Sequence, residues 1–169
     1  MDSATLKALQ APIKDKYKED PGSALITLKA EGRVGEGISC KVDTGKALVE
    51  AGLHPATGGD GLLACSGDML LEALVACAGV TLQAVATAIG ITIEEGSIRA
   101  EGDLDFRGTL GVSKEAPVGF RAIRLQFKLR TSASEEELAS LAKLTERYCV
   151  VYQTLVKGVP VESRFLTHT

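Results

Sequence analysis

The stretch ALVACAGVTLQAVATAIGI, residues 73–91, contains no charged residue. Its nineteen residues approach the length that a bilayer requires of a helix, but Ala, Gly, Thr and Gln dominate it. Glu72 adjoins it, and no basic residue or aromatic belt flanks it closely. We therefore expect a helix that is apolar on most sides and buried at the centre of the fold, not a membrane span. The helix is expected to cover about Gly67–Ile89, with Ser66 as its N-cap and Gly90 ending it.

The composition indicates one acidic globular domain covering residues 1–169. Hydrophobic residues make up 45% of the chain, and 19 basic residues against 22 acidic ones give a net charge of −3. These values argue against disorder and against nucleic-acid binding. Aromatic residues are only 4%, with no Trp, which argues against a platform for stacking bases. The first residues lack the basic and apolar regions of a secretory signal, so we expect a cytoplasmic protein.

Upstream of the central helix, the sequence predicts a helical arm and a β-hairpin. Residues 4–18 are helix-prone, although Pro12 is expected to kink or split them, and residues 1–22 as a whole would form an arm or a short lid. Beyond the arm, alternating apolar residues predict strands, and Gly-rich segments predict a turn and a loop. These elements are strands at Ala24–Ala30, Gly37–Val42 and Leu48–Ala51, a turn at Gly32–Gly35, and a loop at His54–Gly61 that cannot be regular structure.

Downstream of the central helix, strand patterns and helix patterns follow one another in separate groups. The two strands are expected to pair antiparallel, and a capping box begins the first of the two helices. The predicted elements are strands near residues 97–107 and 119–131, a helix from Ser134 to near Tyr148–Cys149, a helix at Val150–Lys157, and a closing strand at Val159–Leu166. This order predicts the α+β class and not a regular βαβ alternation.

Four cysteines, at positions 40, 65, 77 and 149, leave several roles open. The sequence has no C-x-x-C motif, and zinc ligands usually come in such local pairs, so we expect no metal site. Cys77, in mid-helix among small residues, is either an inert core residue or a thiol that needs a cation from outside the helix to become reactive. Cys149 lies where two predicted helices meet. Unpaired N–H groups there favour a thiolate, so it is a candidate reactive thiol, with burial in the core as the alternative.

Four segments together resemble the OsmC/Ohr family of thiol-dependent peroxidases. They are Gly58–Gly59, Ser66–Cys77 (SGDMLLEALVAC), Tyr148–Tyr152 (YCVVY) and the Arg-bearing turn Glu31–Gly35 (EGRVG). The resemblance covers residues 24–167. It implies an intertwined homodimer, in which antiparallel sheets wrap around long central helices and the active sites lie at the subunit interface.

The resemblance also implies roles for individual residues. Cys77 matches the peroxidatic cysteine, Cys149 the resolving cysteine, and Arg33 the arginine that stabilises the thiolate and orients the peroxide. The implied substrate is an organic hydroperoxide, and an external dithiol would reduce the resulting disulfide without any cofactor. Neither nucleic acid nor a membrane is expected as a partner.

The chain departs from the organic hydroperoxide resistance branch at Gly67, where that branch has a glutamate ten residues before its peroxidatic cysteine. Asp68, next to this position, is expected to take over the pairing with the arginine, with Glu72 as the weaker alternative. A family member without that glutamate has a second interpretation, a non-catalytic protein that senses redox state or binds a small apolar ligand. Cys65, as a competing disulfide partner, and His54, as a residue lining the site, are further candidates.

Overall fold

The computed structural model describes residues 3–34, 40–42 and 51–165. This part of the chain folds into helices and an antiparallel sheet, so the predicted α+β class is confirmed. The helices are α1 (Ser3–Glu19), α2 (Ser66–Ile89), the single turn α3 (Phe106–Thr109), α4 (Glu135–Tyr148) and α5 (Val150–Lys157). The strands are β1 (Leu25–Val34), β2 (Cys40–Val42), β3 (Glu95–Asp105) and β4 (Ala122–Arg130).

The four strands form one sheet in the order β2-β1-β3-β4, with every neighbouring pair antiparallel. The predicted hairpin and the predicted pairing of β3 with β4 are both confirmed. The turn expected at Gly32–Gly35 is wrong for its first three residues, because β1 continues to Val34. Gly32 pairs with Val42 on one side and with Ile98 on the other, and this two-sided pairing outweighs the low strand propensity of glycine.

The sheet is apolar on one face and charged on the other, because successive side chains of a strand point in opposite directions. Ile98, Ala100 and Leu104 of β3 are buried in the core that α2 shares. Between them, Glu101 and Asp103 lie on the opposite face and form ion pairs with arginines of the sheet. The core thus forms between α2 and one face of the sheet.

Helix α2 follows the prediction closely at its C-terminal end, where Gly90 adopts a left-handed conformation with φ 77° and its N–H bonds to the last turn. The N-cap is Cys65, and Ser66 is already helical, so the predicted cap is wrong by one residue. The helix is long and apolar enough to cross a membrane by length and composition alone. It is buried only along one stripe, and residues such as Val80, 40% exposed, lie on the outer side. The expected burial is therefore found on one side of this apolar helix, and its outer side is exposed in the single chain.

The N-terminal arm is one unbroken helix. Pro12 lies inside α1 without splitting it, so the predicted split is wrong. Tyr17, 3% exposed, packs in the core and donates a hydrogen bond from its hydroxyl to the carbonyl of Ala56 at 2.8 Å. This contact anchors the C-terminal half of the helix on the loop before α2. We expected no regular structure in that loop, but it contains a 3₁₀ turn at Pro55–Thr57.

The C-terminal half confirms two predictions and contradicts a third. The capping box at the start of α4 is present: the N–H of Glu137 donates to Oγ of Ser134 at 3.3 Å, and the N–H of Ser134 donates to Oε2 of Glu137 at 2.8 Å. Helix α5 has the predicted bounds. The closing strand is wrong, because residues 158–165 have no regular structure and Phe165 is 94% exposed. The third short strand falls outside the described residues except for Ala51, which makes an isolated bridge with Ala64.

Candidate functional site

Two thiols from distant parts of the chain meet at the junction of three helices. Cys77 lies in the middle of α2 and is half-buried, whereas Cys149 lies between α4 and α5 and is only 1% exposed. Both α4 and α5 pack on α2, and this packing brings the two sulfur atoms within hydrogen-bonding reach. The structure therefore unites the two cysteines that the sequence singled out.

The position of Cys149 explains why one helix ends and the next begins there. Its backbone is extended, with φ −71° and ψ 108°, and its N–H donates to the carbonyl of Thr145 at 2.9 Å to close α4. Its sulfur accepts a hydrogen bond from the N–H of Tyr152 at 3.5 Å and so caps the start of α5. The first N–H groups of a helix have no partner within the helix. Those of Val150 and Val151 lower the pKa of the Cys77 thiol.

The surroundings move the pKa values of the two thiols in opposite directions. Burial raises the pKa of Cys77, but hydrogen bonds outweigh it, and the net pKa lies below the ordinary value. The donors, in decreasing order, are the N–H of Val151, the Cys149 thiol, the Thr81 hydroxyl and the N–H of Val150. Burial and the neighbouring Cys77 raise the pKa of Cys149 to about 11. Of the two thiols, Cys77 is therefore the one that loses its proton first as the pH rises.

Sequence reasoning missed the hydrogen-bond donors that lower the pKa of Cys77. We expected a cation from outside the helix to do this, but among the described residues the donors are neutral: two backbone N–H groups, a thiol and a hydroxyl. The sequence did indicate that Thr81 is a neighbour of Cys77, because it follows Cys77 by four residues, about one helical turn. The predicted junction between two helices implies unpaired N–H groups at Val150 and Val151. It does not indicate which group they would face.

Arg33 and Asp68 do not form a described contact with the thiols. Arg33 lies in β1, opposite Lys41 and Ser97, and its side chain is outside the described residues. Asp68 is nine residues before Cys77, which corresponds to about 14 Å along α2 and the opposite side of the helix. Burial raises the pKa of Asp68, and the charge of nearby His54 acts in the other direction. A role for Asp68 would have to act through another residue.

His54 and Cys65 are held by the loop and the helix start before α2. The Nδ1 atom of His54 accepts a hydrogen bond from the N–H of Ala56 at 3.0 Å, and its ring stacks on Phe106 at 5.0 Å between centroids. Cys65 is the N-cap of α2, about 18 Å along the axis from Cys77, which is too far for a disulfide within an intact helix. The structure therefore argues against Cys65 as a disulfide partner of Cys77.

An open groove of about 750 Å³ lies between α2, β4, α4 and α5, and its lining residues include neither Cys77 nor Cys149. Leu70 and Leu74 line it and share one stripe of α2 with Cys77, because positions i, i+4 and i+7 lie on the same helix face. Tyr152, whose N–H caps Cys149, lines it as well. Apolar side chains predominate in the groove, with Arg121 and Glu146 as its charged members.

No metal centre is present in the described part of the chain. Residues 3–34, 40–42 and 51–165 contain no group of three or more His, Cys, Asp or Glu side chains that could hold an ion.

Comparison with known proteins gives the family and the fold. The sequence profile of the family described as OsmC-like protein matches residues 59–164. An OsmC-like hydroperoxide resistance protein from Jannaschia sp. CCS1 has a similar crystal structure, with a TM-score of 0.60 at 16% identity, covering 85% of this chain and 95% of that one. An OsmC-like protein from Mycoplasma pneumoniae is similar at a TM-score of 0.55 and 20% identity, covering 80% and 86%. No curated protein matches the sequence. The profile match covers more than half of the chain, which therefore belongs to the OsmC-like protein family.

Proposed function

We propose that the protein is a thiol-dependent peroxidase that reduces organic hydroperoxides, with Cys77 as the peroxidatic and Cys149 as the resolving cysteine. The observation that carries this proposal is the contact of the two thiols with opposite displacements of their pKa values. Peroxide chemistry of this kind needs one partly accessible thiolate and a second thiol within reach. Cys77 is the half-buried member with the lowered pKa, and Cys149 is the buried, protonated member.

The proposed reaction has three balanced steps. The Cys77 thiolate attacks one oxygen of ROOH, the O–O bond breaks, and the alkoxide takes a proton to leave as ROH, while Cys77 becomes a sulfenic acid. The sulfur of Cys149 then attacks the sulfenic sulfur, and its proton leaves with the hydroxyl group as water, which forms the Cys77–Cys149 disulfide. Finally, an external dithiol transfers two electrons and two protons to the disulfide and is itself oxidised to a disulfide.

The groove supports an organic peroxide as the substrate in preference to hydrogen peroxide. Leu70 and Leu74 form an apolar wall on the same stripe of α2 as Cys77. The alkyl group of ROOH would bury apolar surface against this wall, whereas hydrogen peroxide has none to bury. The protein is also similar in fold to a hydroperoxide resistance protein.

Arg33 and Asp68 complete the proposed site. Arg33 would bind the peroxide and the thiolate, and Asp68 would act as a positioning residue for Arg33, in place of the family glutamate missing at Gly67. Double-mutant cycles with Arg33→Ala and Asp68→Asn test this pairing, because residues that act as a unit have non-additive effects on kcat/KM. Additive effects would contradict the pairing.

A homodimer in the cytoplasm is part of the same proposal, with no nucleic acid or membrane as partner. The outer side of α2 exposes Met69, Ala73 and Val80, which lie on one face of the helix, and Met69 and Val80 are 37% and 40% exposed. A row of apolar side chains on the exposed face of a long helix is typical of a protein–protein contact. A second copy of the chain would cover this row and complete the burial expected of the helix.

The decisive experiment treats the reduced protein with one equivalent of cumene hydroperoxide or of hydrogen peroxide and maps the products by mass spectrometry. We expect rapid formation of a Cys77–Cys149 disulfide with cumene hydroperoxide and slower formation with hydrogen peroxide. If both thiols stay reduced for minutes, or if the disulfide includes Cys65, the proposal is wrong.

A non-catalytic protein that binds a small apolar ligand is the second candidate, and the groove favours it. That protein would bind an apolar fluorescent probe whether or not Cys77 is present, and would turn over no peroxide. Cys77→Ser with intact probe binding, combined with unreactive thiols in the parent protein, would select this candidate.

A further inference from the structure

Arg121, which directly precedes β4, lines two cavities of different character. The first is the apolar groove between α2, β4, α4 and α5, whose volume of about 750 Å³ lies within the range of about 300–1,000 Å³ typical of small-molecule pockets. The second is a polar cavity of about 190 Å³, which Arg107, Ser113 and Glu115 line together with Arg121. One arginine is therefore common to an apolar space and a polar one.

Arg121 has no acidic partner in the described part of the chain, although Asp103 and Asp105 of β3 are nearby. Its N–H donates to the carbonyl of Asp103 at 2.8 Å, which places it beside the end of that strand. Arg124, however, donates to both oxygens of the Asp103 carboxylate. Arg107 donates to both oxygens of Asp105, at 2.9 and 3.2 Å. Because each aspartate is bound by another arginine, the charge of Arg121 is available for an anion from outside the chain.

The walls of the groove are apolar and come from the sheet and the central helix. Ile123, Leu125 and Phe127 of β4 line it together with Leu70 and Leu74 of α2. Alternate positions of a strand lie on one face, so the three β4 side chains form one continuous surface. An alkyl chain in the groove would bury apolar surface against both walls, which favours binding.

Phe120 fixes the segment that carries Arg121 on the sheet. Its ring lies directly on the backbone of β3, because a Cβ atom at Gly102 would be 2.4 Å from Cε1 of Phe120. Phe120 also lines the groove. The residue before Arg121 is therefore packed against the sheet, and this packing limits where the guanidinium can lie relative to the apolar walls.

We propose that the groove binds a free long-chain carboxylate, with the alkyl chain on the apolar walls and the carboxylate on Arg121. A guanidinium matches a carboxylate with two parallel hydrogen bonds, and this pairing distinguishes a carboxylate from an uncharged head group. The proposal goes beyond the second candidate function, which gives the groove an apolar ligand without a charge. It concerns binding and not the thiols, because neither cysteine lines the groove, so it holds whether or not Cys77 reduces a peroxide.

Three probes with the same alkyl chain, dodecanoate, dodecanol and dodecyltrimethylammonium, test the proposal on the full reduced chain. Their dissociation constants are measured below the critical micelle concentration by displacement of a neutral naphthylamine fluorophore. Arg121→Gln removes the charge, and Arg130→Gln at the far end of β4 is its matched control, because Arg130 lines neither cavity. Ala142→Phe on α4 fills the groove, with Ala139→Phe, an exposed position outside the groove lining, as its control. Unfolding midpoints establish that each variant is folded, and Ala142→Leu replaces Ala142→Phe if the latter fails to fold.

We expect dodecanoate to bind the parent chain about tenfold more tightly than dodecanol, and dodecyltrimethylammonium to bind least tightly. Arg121→Gln should weaken dodecanoate binding about five- to tenfold and leave dodecanol binding unchanged, because only the contact with the head group is lost. Ala142→Phe should weaken the binding of all three probes. Neither control should change any dissociation constant.

Three results would each overturn the proposal. They are equal affinities for dodecanoate and dodecanol, an unchanged dodecanoate affinity in Arg121→Gln, and no binding to the parent chain because a second copy covers the groove. Preference for the cationic probe would also overturn it, because Glu146 and not Arg121 would then select the ligand. Cys77→Ser should bind dodecanoate like the parent chain, so dodecanoate binding and peroxide turnover can fail independently of each other.

Discussion

The sulfur of Cys149 accepts a hydrogen bond from the N–H of Tyr152 at 3.5 Å, so this thiol is the N-cap of α5 as well as the partner of Cys77. A cap group satisfies an N–H that has no partner within its helix. Cys149 therefore has a structural role in the reduced protein in addition to its proposed chemical role. The two roles are separable by substitution.

Cys149→Ser and Cys149→Ala should have the same chemical effect but different effects on stability. Neither variant has a resolving thiol, so the reaction with cumene hydroperoxide should stop at the sulfenic acid of Cys77, which dimedone traps as an adduct detectable by mass spectrometry. Serine is a strong N-cap and alanine is not, so the free energy of unfolding should be about 0.5–1 kcal/mol lower for Cys149→Ala than for Cys149→Ser. Cys65→Ser is the matched control and should form the complete disulfide. Equal stabilities of the two variants would contradict the capping role.

The reactivity of Cys77 should extend to lower pH than that of an ordinary thiol. Only the thiolate reacts, and hydrogen bonds lower the pKa of Cys77, so its alkylation profile should lie at lower pH than that of an ordinary thiol and fall about tenfold per pH unit below that pKa. Cys149, whose pKa is raised to about 11, should remain unmodified until the pH approaches that value. Peptide mapping after timed iodoacetamide pulses measures both thiols, with the urea-unfolded chain as the reference. A Cys77 profile identical to that of the unfolded chain would contradict the proposed thiolate.

The sequence predicted the elements of the fold well where the pattern is local. Gly90 ends α2 in a left-handed conformation, and the capping box of Ser134 and Glu137 begins α4. Both were predictable because each signal acts within one helical turn. The predicted closing strand failed because the alternation of Val159 and Val161 shows strand propensity but does not supply a pairing partner.

The site was predicted only in part. The pair Cys77 and Cys149 came from a family resemblance, since 72 positions separate them and no local pattern relates them. The N–H donors of Val150 and Val151 could not be predicted, because their direction depends on how α5 packs against α2. Thr81 could have been found from its spacing, but a threonine in a helix has a default backbone partner, as Thr87 shows.

Gly59, at the start of the part of the chain that matches the family profile, should tolerate no side chain. A Cβ atom there would lie 1.8 Å from the carbonyl oxygen of Leu53, a backbone atom that cannot move without displacing the loop that holds His54. Gly59→Ala should therefore lower the free energy of unfolding by about 2–3 kcal/mol. Gly119→Ala is the matched control, because a Cβ atom there meets nothing within 4 Å, and it should change stability by less than about 0.5 kcal/mol. Urea unfolding of both variants measures this difference. Equal midpoints would contradict the close contact between Gly59 and the Leu53 carbonyl oxygen.

Asp103 on the charged face of the sheet should make stability depend on pH in the acid range. Hydrogen bonds from Arg124 and then from Thr27, the latter at 2.6 Å, lower the pKa of Asp103 to about 2. A carboxyl group whose pKa is lowered by folding stabilises the folded state above its unfolded pKa, and this contribution is lost as the pH falls from about 4 through about 2. Because solvent screens this partly exposed pair, Asp103→Asn should lower the free energy of unfolding by only about 0.5–1 kcal/mol at pH 7, and by less at pH 2–3. Asp15→Asn, which removes the more exposed ion pair with Lys18, is the control and should have almost no effect. Urea unfolding at both pH values measures the difference, and a loss for Asp103→Asn that is the same at pH 2 and pH 7 would show that the carboxylate charge is not its cause.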